Sequence, residues 1–138
     1  SKYQRLKVKD KKDFYTKDIN VITLDEYCEK NHINNIDILK IDTQGSEAEV
    51  LAGAKQLLKD QSIKIIDLEY ILGIAHDNAN SLYDIENALN NYNYKLIAIE
   101  SSGNIVSFSR YQTNLMYVRK DIYNKIKLMH EVDTDLKY

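Results

Sequence analysis

The stretch LKIDTQGSEAEVLAGA, residues 39 to 54, constrains the fold more than any other part of the chain. The apolar run IDILKID is of strand length and stops at Asp42, and a glycine follows at Gly45. From there the apolar residues Val50, Leu51, Ala54, Leu57 and Leu58 recur at helical spacing. Ser46 and Glu49 stand three apart in the pattern of a capping box, which predicts a helix start at that point. A strand that turns through glycine into an amphipathic helix is half of a β-α-β crossover, so the chain should contain a parallel strand pair.

The flanking segments repeat the alternation. In VITLDEYCEKN, Thr23 and Glu26 form a second capping pattern, and Leu24, Tyr27 and Cys28 share one helical face. IKIIDLEY is β-branched and of strand length; SLYDIENALNN follows as a helix capped by Ser81 with Leu82, Ile85 and Leu89 inward; YKLIAIE is the next strand. Strands alternating with helices predict right-handed crossovers and a mainly parallel sheet covered on both faces, an α/β sandwich. Between Glu100 and Asn114 no helical pattern intervenes, so the last two strands should pair antiparallel.

At 138 residues the chain is expected to be one domain. Residues 1–18 are rich in lysine, and Leu6 and Val8 alternate with Arg5, Lys7 and Lys9, as in a basic arm or an edge strand. Residues 121–138 form a polar tail in which Ile122, Ile126 and Met129 lie at near-helical spacing, as in a short docked or frayed helix. A net charge of -2 argues against a nucleic-acid binder. No apolar run reaches the length of a membrane span and the lysine-rich start lacks a signal-peptide core, so a cytoplasmic location is expected. Cys28 is the single cysteine, which excludes an intrachain disulfide and a cysteine zinc cluster.

Open parallel sheets bind ligands beyond the carboxyl ends of their strands, and Asp42 and Glu69 both stand at such ends. Asp42, just before a glycine turn and a helix N-terminus, is either a loop carboxylate or an acid facing a ligand. Glu69, beside Tyr70, is either a second such acid or a structural one. Gly45 suits a positive φ, and Gly53, inside the helical pattern, suggests close packing against the sheet. His76, in GIAHDN, is either an exposed loop histidine or a general base near a substrate hydroxyl. His32 and His130 read as structural.

The run ITLDEYCEKNHINNIDILKIDTQGSEAEVLAGAKQLL resembles the FkbM-type methyltransferases, in which a TLD helix start precedes a strand reading LKID, an acidic or amide pair, glycine and a helix reading EVLxGA. A looser likeness runs through IIDLEY and LNNYNYKLIAIE to NLMYVRK, about residues 19–120. The resemblance implies a Rossmann-like class I methyltransferase sandwich, a seven-stranded sheet whose last strand is antiparallel. It implies transfer of a methyl group from S-adenosylmethionine to a hydroxyl of a sugar, glycan or natural product. By motif, Asp42 with Thr43, Gln44 and Gly45 would lie beside the methyl donor. Asp42 and His76 would be the catalytic candidates, with Glu69 and Tyr70 at the acceptor; no metal ligand set is expected, and a divalent ion held by Asp42 and Glu69 is the alternative to metal-free catalysis.

Two departures accompany the likeness. Gln44 stands where the family more often has glutamate, which removes a charge. The family's cofactor loop of closely spaced glycines has no counterpart, since the four glycines are Gly45, Gly53, Gly73 and Gly103. The expectation is therefore the carboxyl-terminal half of a methyltransferase domain over residues 19–120, with an exposed sheet edge that invites a homo-oligomer. A non-catalytic α/β interaction or scaffold module derived from a methyltransferase is the alternative.

Overall fold

The computed structural model describes residues 3–9, 14–72, 80–102 and 111–135. A hairpin comes first: β1 (Tyr3–Lys9) pairs antiparallel with β2 (Phe14–Asn20) as a two-stranded sheet. Then follow α1 (Leu24–Lys30), β3 (Ile36–Ile41), α2 (Glu47–Ala52), α3 (Lys55–Lys59) and β4 (Ile63–Leu72). α4 (Leu82–Leu89), a 3-10 turn at Asn90–Tyr92, β5 (Tyr94–Ser102), β6 (Tyr111–Arg119) and α5 (Lys120–Asp135) complete the order.

β3 to β6 form one sheet in the order β3-β4-β6-β5. β3 and β4 are parallel, and β6 runs antiparallel to both β4 and β5. Three strands thus share a direction, and the expected antiparallel last strand lies between β4 and β5. The antiparallel pairing of the last two strands and the α/β class agree with the sequence reading.

Register assigns the two faces of the sheet. Leu39 and Ile41 stand beside Ile66 and Leu68, which stand beside Tyr117 and Leu115. This face is the core, closed by Cys28 of α1, Leu51 of α2, Leu57 and Leu58 of α3, and Ile85 and Leu89 of α4. Burying a leucine or isoleucine side chain contributes roughly 1.5–3 kcal/mol, so this cluster supplies the main drive to fold. The opposite face carries Ile38, Lys40, Ile65, Asp67, Glu69, Met116 and Asn114. α5 continues from β6 and leaves Ile126, Leu128 and Met129 exposed, and Ile38 stays 63% exposed. The expectation of a sheet covered on both faces is therefore corrected: both crossovers, through α2–α3 and through α4, return on the same side.

Local details also differ from the sequence reading. The Thr23–Glu26 box forms, and Ser81 caps α4 in a reciprocal box with Asp84. The Ser46–Glu49 box does not form: Ser46 has φ -116° and ψ 29°, outside the extended region a cap needs, and makes no side-chain cap bond. The long apolar stripe is two helices, because the chain breaks at Gly53 and Ala54. Gly53 closes α2 and faces Thr23 instead of the sheet; an added Cβ would lie 3.4 Å from the Thr23 Cβ. Tyr27 and Leu82 leave the core stripes, at 47% and 39% exposure.

Candidate functional site

The site begins at the ends of two neighbouring parallel strands. β3 ends at Ile41 and presents Asp42, while Glu69 lies near the end of β4, paired across the sheet with Asn114 of β6. Gln44 joins the two acids: its Nε2 donates to Asp42 Oδ1 at 2.8 Å and also to Glu69 Oε2. Gln44 has φ 56° and Gly45 φ 115°, so the chain reverses through two successive left-handed residues. Glycine tolerates this freely, and a side chain adopts it only where its surroundings hold it there.

The hold comes from Glu47. Its carboxylate is 3% exposed, and its Oε1 accepts from the Thr43 N–H at 3.2 Å, the Thr43 hydroxyl at 2.9 Å and the Gly45 N–H at 3.1 Å. Asn80 adds a strut, its Oδ1 accepting from the Ala48 N–H at 2.8 Å and its own N–H donating to the Gly45 carbonyl at 3.0 Å. Of these contacts, the Asn80 bond satisfies a first-turn N–H of α2, that of Ala48. Glu47 and Asn80 are residues that sequence reasoning missed. Glu47 carried a signal, an acid in the first turn of a helix after a glycine loop; Asn80 carried none.

A polar row continues from the acids along the open face. Lys40 Nζ lies 3.2 Å from Asp67 Oδ2 and donates to Asn114 Oδ1 at 3.0 Å. Asp67 Oδ1 is buried without a hydrogen-bond partner. Burial raises the Glu69 carboxyl above the ordinary glutamate range, and the Asp42 carboxylate beside it raises it further; the Gln44 amide and Lys40 oppose the shift. Two acids sharing one amide at a strand end can accept a proton from a hydroxyl, orient that hydroxyl, or face a cationic ligand.

The structure therefore brings Asp42, Gln44 and Glu69 together, with Thr43 and Gly45 bracing the loop beneath them. Tyr70 stands apart from them in role: its hydroxyl accepts from the Leu82 N–H at 3.1 Å and anchors the start of α4. His76 lies outside the described residues. His32 follows α1 with φ 57°, its N–H donating to the Glu29 carbonyl. Among the described residues no three His, Cys, Asp or Glu side chains converge as a metal group, and no helix is long and apolar enough to cross a membrane.

A polar lock closes the other end of the sheet. Tyr94 donates to the Ile63 carbonyl at 2.7 Å, and its burial pushes the phenol up to about 12. Arg119 donates to the Gln61 carbonyl at 2.7 Å and pairs with Asp121 at 2.8 Å. These groups fix the strand starts, so the acids at the opposite end stand on a rigid frame.

Comparison with curated proteins and with solved structures gave no match. The family model of the methyltransferase FkbM domain matches residues 1–96, a span that contains the hairpin, the glycine turn, both acids and the crossover helices. The chain belongs to the FkbM methyltransferase family.

Proposed function

We propose that the chain is the acceptor-side part of an S-adenosylmethionine-dependent O-methyltransferase acting on a hydroxyl of a sugar, glycan or other small molecule. The observation that carries this reading is the meeting of Asp42 and Glu69 at adjacent strand ends above a braced glycine turn, within a methyltransferase family. S-adenosylmethionine, when bound, supplies an electrophilic methyl group on a sulfonium. A carboxylate pair suits both that positive charge and a hydroxyl acceptor, which is the ground for fitting the donor here.

In this reading Asp42 would orient the acceptor hydroxyl and take up the proton that its oxygen loses on methylation. Glu69 receives a second hydroxyl or shares the released proton. Thr43, Gln44 and Gly45 would hold the donor, and Tyr70 would line the acceptor side while its hydroxyl anchors α4. His76 is the second candidate base. Positioning supplies most of the acceleration, because the sulfonium is already a good leaving group.

Two features support a part of a larger sheet. β3 has β4 as its only sheet neighbour among the described residues, and Ile38 on the open face is largely exposed. A second segment or a second copy of the chain would cover them. Calorimetric titration with S-adenosylmethionine and with its demethylated product tests the function. Saturable binding that weakens in Asp42→Ala is expected; no binding of either compound would overturn the assignment of residues 42–45 to the donor and favour a non-catalytic module.

A further inference from the structure

We propose that Gln44 is a positioning residue whose amide occupies the place a cation would take between the Asp42 and Glu69 carboxylates. Two carboxylates at one strand end repel unless a proton, a metal ion or a donor lies between them. Here the donor is a single NH2 group, which bonds to Asp42 Oδ1 at 2.8 Å and to Glu69 Oε2. An amide nitrogen has two hydrogens, so both are committed, one to each acid.

The backbone supports the same role. Gln44 holds φ 56°, a region that residues other than glycine seldom adopt. His32 and Asn93 adopt it where a helix ends, whereas Gln44 adopts it in the turn that aims its side chain at the acids. The bonds from Thr43 and Gly45 to the buried Glu47 hold that turn on both sides of Gln44. Lys40, the nearest described cation to Glu69 in its effect on that acid, is already engaged with Asp67 and Asn114.

An amide differs from a cation in one useful respect. It is neutral, so the pair keeps its negative charge toward solvent, and it fixes which lone pairs remain for a ligand. Each carboxylate has one oxygen engaged by the amide, which leaves its other oxygen as an acceptor for a hydroxyl. Glutamate at the same position would instead supply a third carboxylate, and three converging oxygen ligands favour a divalent ion.

The inference stands on hydrogen bonds and concerns the same site, but its test reads no methyl transfer, so its failure is distinct from failure of the methyltransferase reading. Binding of Mn2+ to the whole chain is followed by paramagnetic resonance of the free ion for the wild type, Gln44→Glu and Gln44→Glu/Asp42→Asn. The expected result is about tenfold or more tighter Mn2+ binding in Gln44→Glu, reversed by the added Asp42→Asn. Equal Mn2+ binding by wild type and Gln44→Glu would overturn the proposal.

Gln44→Leu supplies an independent readout that does not depend on Gln44→Glu folding. With the spectrum of the remaining residues unchanged, its Glu69 side-chain carbon should titrate at higher pH than in the wild type, and Gln44→Asn should fall between the two. A Glu69 titration unchanged by Gln44→Leu would contradict the amide's role.

Discussion

The glycine turn depends on one buried acid. Glu47 takes three hydrogen bonds from Thr43 and Gly45, and its loss would leave those donors unmet next to the core. Glu47→Ala is expected to destabilise the fold by about 3 kcal/mol in urea unfolding, and Glu47→Gln by less, since its carbonyl still accepts. Equal stability of Glu47→Ala and wild type would contradict this. Glu69 makes a pH-dependent contribution of known sign. Its carboxyl is raised in the folded chain, so the folded state holds more proton than the unfolded one. Stability therefore falls as pH rises from the ordinary glutamate value through the folded one. Unfolding at pH 4 and pH 7.5 should show Glu69→Gln gaining on the wild type at the higher pH; a constant difference would refute the shift.

Capping chemistry explains where the helices begin and how they respond to acid. Thr23 and Glu26 exchange bonds at 3.1 and 3.0 Å, and Ser81 and Asp84 do the same at the start of α4. Thr23→Ala should cost about 1 kcal/mol by urea unfolding, and no measurable cost would indicate that tertiary packing alone fixes α1. The hydrogen bonds at these caps hold the Glu26 and Asp84 carboxyls below their ordinary values, so this support is lost as pH falls through the lowered values. The first cap was legible in sequence because Thr-x-x-Glu names both partners within one turn, and Ser81 was legible as a cap although its return partner Asp84 was not. The Ser46 box was not, because a competing acid one residue later, Glu47, reaches back into the loop and changes the backbone at Ser46. Nor was the break at Gly53, where α1 approaches closely and the Asp25 N–H donates to the Gly53 carbonyl at 2.9 Å. That contact joins segments far apart in sequence.

At the scale of the molecule, the alternation of strand and helix determined the class of fold, and the missing helix before Asn114 indicated the antiparallel end. The position of β6 between β4 and β5 was beyond local patterns, since it rests on pairing with a strand far earlier in the chain, as in Ile71 with Gln112, 41 residues apart. The strand-end acids were likewise legible from position, but their bridge through Gln44 needed the three-dimensional turn. The open face is also a whole-molecule property. Ile38 lies exposed beside an edge that carries Asp37 and Lys40, charges that restrain edge pairing without removing it. Ile38→Lys should weaken self-association in sedimentation velocity; a wild-type chain that stays monomeric at all concentrations would contradict association through this region.

In the proposed function, donor and acceptor meet at the Asp42–Gln44–Glu69 end of the sheet. Backbone amide NMR of the chain during addition of S-adenosylmethionine tests it most directly, because it reports place as well as binding. The account predicts shifts concentrated at residues 42–45 and around Glu69, with the groove between α2 and α4 near Lys55 and Asn87 unaffected. Shifts confined to that groove, or none at any residue, would contradict it.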